Sequence, residues 1–200
     1  MEQVMVVDAD IILQKFGADA NQLLISDEQT FIDVVQNNCT FLGRDVVETD
    51  PSYKQIISYC VIMSGDEVFV TRRTKKQTEA RLHDRMSVGI GGHVASVDEG
   101  PDLVLRGLRR ELEEEVDIKG AYTMRYLGVI NDNCNDVCSV HTGICYLVRV
   151  EGRDCDIKEK EKMVGGWVPF AELDKFYDNF EEWSKIVVNT LRAHPALIKA

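Results

Sequence analysis

Glu111, Glu114 and Glu115 stand at i, i+3 and i+4 in the segment LRGLRRELEEEVDI. On a helix, at about 100° per residue, this spacing puts three carboxylates on one side. Like charges so placed repel by roughly 0.2–0.5 kcal/mol per exposed pair, and more where water is restricted. Arg110 can offset one of them by pairing with Glu114 at i+4. The charge left over is what a hard divalent cation takes, namely several carboxylate oxygens converging from a rigid support. Mg²⁺ keeps part of its water and bridges substrate phosphates, so a shallow acidic helix face suits it. A solvated acidic face is the bland reading of the same run. The surrounding residues decide between the two.

The helix itself is well marked. Leu105, Leu108, Leu112 and Val116 recur at spacings that make one apolar stripe. Pro101 suits a first helical turn, and Asp102 adds negative charge at that end. Arg106, Arg109 and Glu113 fall on the solvated side. Upstream, residues 86–90 read as a strand that ends in Gly89, Gly91 and Gly92. Those glycines allow close backbone approach, as at a phosphate or metal site. His93 follows at once and is a candidate for substrate contact or for local packing. Residues 55–63 are strongly β-prone, residues 64–67 make a turn, and residues 68–71 return as a second strand.

Arg110-Glu111-Leu112-Glu113-Glu114-Glu115-Val116-Asp117-Ile118, preceded by Gly91-Gly92, resembles the Nudix box, G-x5-E-x7-R-E-U-x-E-E-x-G-U, where U is bulky and apolar. The Arg-Glu-Leu-x-Glu-Glu core matches at every fixed position. Asp117 stands where the pattern has Gly, and a modest local change is expected there. The pattern places Arg 14 positions after its first Gly, whereas Gly92 to Arg110 is 110 − 92 = 18. The four extra residues fall around residues 95–101 or lengthen the helix by a turn. The first Glu of the box is then either Glu99, by its place in the loop, or Asp102, by its distance from Arg110. Glu79-Ala80-Arg81-Leu82-His83, the run 87–93, Tyr126-Leu127-Gly128-Val129-Ile130-Asn131-Asp132 and Val140-His141-Thr142-Gly143 look like the branch called predicted Nudix phosphoesterases. The resemblance covers roughly residues 50 to 190.

It implies an α/β/α sandwich with a mixed β-sheet, and a Mg²⁺- or Mn²⁺-dependent hydrolase of a phosphoanhydride in a nucleoside-diphosphate-linked or related organic pyrophosphate. Glu111, Glu114 and Glu115, with the backbone carbonyl near Gly92, would hold the metal. One of them, or a carboxylate from another loop, would act as base, and Arg110 would orient the carboxylates. Glu159 and Glu161 fall where some members place an extra base or ligand. The fold also carries isopentenyl diphosphate isomerases, whose carbon chemistry needs a Cys and a Glu facing across the pocket. No cysteine lies beside the Gly91-Gly92-His93 turn. A binding or regulatory module of the same fold is the other rival, and the intact glutamate set argues against it.

The rest of the chain bounds these expectations. Its 200 residues suit one domain, or a compact domain with an appendage. Residues 51–200 are expected to form the Nudix domain, and residues 1–50 a less regular front section packed on it or at a homodimer interface. In that section residues 4–7 could be an edge strand, and residues 27–35 a helix with Ser26 as N-cap. The net charge of −11 argues against sequence-independent binding to a nucleic-acid polymer. Residues 71–85 nevertheless carry six Lys or Arg against two acids, with Arg72, Arg73 and Arg81 the candidates to meet an anionic substrate. Apolar runs are too short to span a membrane, and acids stand where a signal peptide needs basic residues, so a cytoplasmic protein is expected. Cys134, Cys138 and His141 invite a zinc reading, but no fourth ligand is evident in the sequence. Trp167 and Trp183 read as core residues.

Overall fold

The computed structural model describes residues 2–74, 85–98 and 100–199. The sheet is built around β3 (Tyr53–Ser64), which is almost all buried and, from Ile56 on, mostly apolar on both faces. One edge of β3 pairs in parallel with β9 (His141–Val150) from Gln55↔His141 to Met63↔Arg149. The other edge is shared in succession by β1 (Gln3–Asp8), by a bridge to His93, by β6 (Gly89–Ile90) and by β4 (Glu67–Arg73). β8 (Tyr122–Ile130) lies antiparallel on β9, β11 (Met163–Pro169) on β4, and β2 (Thr40–Gly43) on β1. The short β5 (Met86–Ser87) pairs with β4. Parallel and antiparallel pairs therefore mix in one sheet. Apolar clusters lie on both of its faces. One holds Ile56, Ile62, Leu108, Leu112 and Phe31, and the other holds Val61, Met63, Phe180, Val187 and Leu191.

Helix α4 (Leu103–Glu115) packs on the first face through Val104, Gly107, Leu108 and Leu112. Val104 replaces Leu105 in the expected stripe, and Leu105 is only partly buried. The helix starts at Leu103, so Pro101 lies before it. Asp102 turns the chain at φ 63, and its side chain makes no cap hydrogen bond. At the far end no left-handed cap forms. Val116 is already extended, and β7 (Val116–Ile118) pairs with β10 (Cys155–Ile157), placing Asp117 opposite Asp156. An Asp in place of the family glycine is therefore compatible with the backbone. Helix α6 (Glu182–Ala193) covers the other face, with Ile186, Val187, Val188 and Leu191 buried.

The front section differs from the expectation in detail. The four apolar residues of β1 are wholly buried, because β2 covers its outer side; β1 is interior and not an edge. Helix α1 (Ala9–Phe16) follows, capped by Asp8. Helix α2 (Glu28–Asn38) is capped by Asp27, whose carboxylate accepts the Thr30 N–H at 3.0 Å. Ser26, the expected cap, instead bonds the Tyr126 hydroxyl at 2.8 Å. Residues 44–47 form a short helical turn, α3 (Arg44–Val47). Met5 is fully buried and belongs to the same cluster as Ile12, Phe31 and Val94. Met5→Ala should cost roughly 2–5 kcal/mol in urea unfolding, within a single transition. A cost near zero would mean that β1 is not part of the cooperative unit.

Candidate metal and pyrophosphate site

Arg110 on α4 is the hub of the site. Its Nε and Nη2 donate to the two oxygens of Asp98 at 2.7 and 3.0 Å, a bidentate fork. Nη2 also reaches the His93 carbonyl at 2.9 Å, and Nη1 reaches Glu111 at 2.7 Å and Glu114 at 3.2 Å. The Asp98 hydrogen bonds are the main reason the guanidinium is held firmly charged. Asp98 is buried and also accepts the Ala95 N–H at 2.8 Å, so the loop and the helix are tied at one carboxylate.

Asp98 is the residue that reading the sequence missed. Asp102 does not occupy that place; it sits exposed at the helix start, and its backbone carbonyl accepts the Arg106 N–H. Glu99 lies outside the described residues. The signal was available: counting six positions on from Gly92, as the box pattern does, lands on Asp98. The four extra residues therefore lie between Asp98 and α4, where Gly100 (φ 112) and Asp102 turn the chain.

Two glycines make the approach possible. A Cβ on Gly107 would stand 2.8 Å from Asp98 Oδ2 and 3.2 Å from Val94 Cα. A Cβ on Gly92 would land on the Glu111 carboxylate, well inside van der Waals contact. The Gly92 carbonyl accepts the Ser58 N–H at 2.9 Å and the Ser58 hydroxyl at 3.3 Å.

Glu111 and Glu115 line a cavity of about 380 Å³, together with Gly92, His93, Arg44, Arg73, Tyr59 and Trp183. Glu114 does not line it. Its side chain is 60% exposed beside Arg110, at the rim of the acidic face. Burial, then the neighbouring Glu111 charge, pushes the Glu115 carboxyl up to about 7. Burial raises Glu111 as well, against the pull of Arg110. Among the described residues, five glutamates line the cavity (Glu2, Glu48, Glu111, Glu115, Glu181) against two arginines (Arg44, Arg73). Half-buried carboxylates held up by one another are a donor set that fits a hard divalent cation.

The basic candidates separate by strand alternation. Arg73 faces the cavity, and its charge acts on Glu115. Arg72 faces the other way, beside Trp167 and Phe176. Arg81 lies outside the described residues. His93 lines the cavity with its Nε2 2.9 Å from Gln55 Oε1 and 3.3 Å from His141 Nε2. His141 Nδ1 sits 2.7 Å from the Val137 carbonyl and so carries a proton there, which leaves its Nε2 to accept from His93. Burial holds both imidazoles below their usual range. Glu159 pairs with Lys162 at 2.8 Å, while the Glu161 backbone carbonyl accepts the Thr74 hydroxyl; neither lines the cavity. Arg44, Glu48 and Glu2, which sequence reading did not single out, form a chain from the front section: Arg44 pairs with Glu2 at 3.0 Å and with Glu48 at 3.3 Å.

A NUDIX domain model matches residues 54–190. The chain belongs to the Nudix hydrolase family. Protein YmaB of Bacillus subtilis is 32% identical over 200 aligned positions, which cover 95% of this chain and 97% of YmaB. The crystal structure of Tm1382, a protein classed with the Nudix hydrolases, superposes with a TM-score of 0.79 at 34% identity, covering 92% of this chain and 95% of Tm1382. A MutT protein from Methanosarcina mazei Go1 shares the fold at 16% identity, with a TM-score of 0.51 over 73% of this chain and 95% or more of its own length (96%). The mixed sheet flanked by helices is the Nudix fold.

The state of Glu115 has a consequence for stability. Between its unfolded value of 4.5 and its folded value of about 7, the folded protein keeps the proton and the unfolded chain has lost it. Stability therefore falls as pH rises through that window. In excess chelator, Glu115→Gln should be more stable than the parent at about pH 8, by roughly 1–3 kcal/mol, with the difference gone near pH 4. Urea unfolding at the two pH values measures it; a variant no more stable at the higher pH would remove burial as the cause.

Proposed function

We propose that the protein is a Mg²⁺- or Mn²⁺-dependent hydrolase that cleaves a phosphoanhydride bond in a nucleoside-diphosphate-linked or related organic pyrophosphate. The observation that carries this reading is the convergence of Glu111 and Glu115 on one cavity with Arg44 and Arg73, behind an Arg110–Asp98 clamp. Such a cavity is net acidic and repels a pyrophosphate on its own. A divalent cation held there by these carboxylates would neutralise charge and make water a better nucleophile.

Glu111, Glu114 and Glu115 are the residues proposed to hold it, with the Gly92 carbonyl. Glu114 stands at the rim beside Arg110, and its place in the set rests on the box pattern. One of the three, or a carboxylate of another loop, takes the proton of the attacking water. Arg110 is a positioning residue, since it fixes Glu111 and the His93 carbonyl together. Arg73 and Arg44 offer guanidinium forks to phosphate oxygens, a better match than lysine for bidentate contact. Trp183 and Tyr59, edge to face with centroids 5.8 Å apart, give the cavity an aromatic wall suited to a flat base or ring. A small soluble pyrophosphate is the partner that fits a cavity of this size.

The test is a panel of nucleotide and sugar-nucleotide diphosphates with Mg²⁺ or Mn²⁺, read as phosphate or nucleoside monophosphate release. Glu111→Gln, Glu114→Gln and Glu115→Gln should each keep the fold and remove most turnover. Full turnover in all three variants, with the metal requirement unchanged, would sink the assignment. Asp98→Asn breaks the clamp without touching the cavity acids. It should lower activity about 10–100-fold and raise the metal concentration needed for half-maximal rate. A loss that no metal concentration restores would instead place Asp98 in the chemistry.

A further inference from the structure

A second cluster of ligating side chains lies outside the acidic cavity, in the loop between β8 and β9. The side-chain ligand atoms of Asp132, Cys134 and Cys138 lie within 4.8 Å of one another. Asp132 is almost wholly buried. Its Oδ1 accepts the Cys134 N–H at 2.9 Å, but its Oδ2 is buried with no hydrogen-bond partner. A buried carboxylate oxygen left unsatisfied costs on the order of 1–3 kcal/mol or more, so its position beside two thiols needs an explanation.

We propose that Asp132, Cys134 and Cys138 bind a thiophilic divalent cation, Zn²⁺ by chemistry, at a site separate from the carboxylate site on α4. Two thiolates and one carboxylate are a soft, mixed donor set, which selects Zn²⁺ over Mg²⁺. On a tetrahedral zinc ion, with Zn–S near 2.3 Å and Zn–O near 2.1 Å, neighbouring donors stand roughly 3.3–3.8 Å apart. The ligand atoms of the present cluster lie within 4.8 Å of one another, so binding would draw them closer together. With three protein donors, the fourth position falls to water, and Cys134 is exposed on the solvent side.

The surroundings suit the charge. The buried Lys54 ammonium sits behind the loop, donating to the carbonyls of Cys138 at 2.9 Å and of Asp132 and His141 at 3.3 Å, and to Asn133 Oδ1 at 2.7 Å. One carboxylate, two thiolates, one ammonium and one divalent cation sum to zero, so the loaded site adds no net charge beside the buried Asp132 and Lys54. Asn135 fixes the spacing between the two cysteines by accepting the Val137 and Cys138 N–H groups, each at 2.9 Å, at the start of helix α5 (Asp136–Ser139). His141 is not a ligand, since its Nδ1 is engaged with Val137 and its Nε2 with His93. Binding releases the two thiol protons to solvent and changes no oxidation state. The role is structural: the loop carries Val137 and leads into His141 at the start of β9, and both form part of the wall of the acidic cavity.

The experiment titrates reduced, metal-free, full-length protein with Co²⁺ as a spectroscopic probe and then with Zn²⁺. A near-ultraviolet thiolate-to-cobalt charge-transfer band should grow to saturation at about one equivalent and collapse when Zn²⁺ displaces the probe. Cys134→Ser should abolish the band, and because Cys134 is exposed the variant should fold. Asp132→Asn should keep the band but weaken Zn²⁺ binding at least about tenfold. Carboxylate-only binding at Glu111 and Glu115 gives no such band, so the two sites are told apart. No band in protein whose thiols are all titratable would overturn the proposal. So would an unchanged band in Cys134→Ser, or a Cys134–Cys138 disulfide that re-forms in the presence of excess Zn²⁺.

Discussion

The Arg110–Asp98 fork is the constraint on which the site depends. A guanidinium only 24% exposed meets a carboxylate that is 2% exposed, so each is the other's main solvation. Removing Arg110 would leave the buried Asp98 carboxylate with little more than the Ala95 N–H to compensate it, a loss of the order of 3–5 kcal/mol in comparable pairs. The fork ties the loop after Gly92 to the middle of α4, beside the Arg110–His93 carbonyl bond and the packing of Gly107 on Val94. Because it is planar and bidentate, it fixes orientation as well as distance. Glu111 is then delivered to the cavity with its carboxylate against the Gly92 backbone. The two glycines serve this geometry: a Cβ on Gly107 would crowd Asp98 and Val94, and one on Gly92 would displace the Glu111 carboxylate.

A second constraint is electrostatic. The cavity gathers five glutamates from four places in the chain, with only two arginines among the described residues to oppose them. Folding buries these acids and places them together, and the raised Glu115 carboxyl shows the cost, burial first and the Glu111 charge second. A protein that needs the acids for a cation carries the cost as part of its function. The front section shares in it. Arg44 bridges Glu2 and Glu48 and brings positive charge to the cavity mouth from a strand-and-turn element that lies before the residues matched by the family model.

How much of this was legible in the sequence depends on how local each signal is. The α4 stripe, the β3 and β4 pair and the box core are periodic or contiguous, and each was readable from neighbours a few residues away. Asp98 was not seen because two other acids, Glu99 and Asp102, follow it in a loop whose length departs from the pattern. The count of six positions from Gly92 selects Asp98, and its fork with Arg110 agrees with that count. Arg72 and Arg73 look alike in sequence, and a strand puts them on opposite faces, so the register of β4 decides between them. The N-cap of α2 moved by one residue because Ser26 found a better partner in Tyr126, 100 positions away. Arg44 and Glu48 carry no motif at all; their role arises from pairing of β1 with β3, a long-range event with no local mark.

The extra length after Asp98 shows how such a site tolerates change. Lengthening a loop by four residues costs little, because closure entropy grows only with the logarithm of length. Lengthening the helix by a turn would instead leave Arg110 facing the same side but would lift the helix start by about 5 Å, away from the glycine turn. The chain takes the cheaper course. It keeps six positions between Gly92 and Asp98, spends the extra residues at Gly100 and the left-handed Asp102, and starts α4 where Val104 and Leu108 can reach the core. The geometry that matters is thus held by one ion pair and two close glycine contacts, which the added residues after Asp98 leave in place.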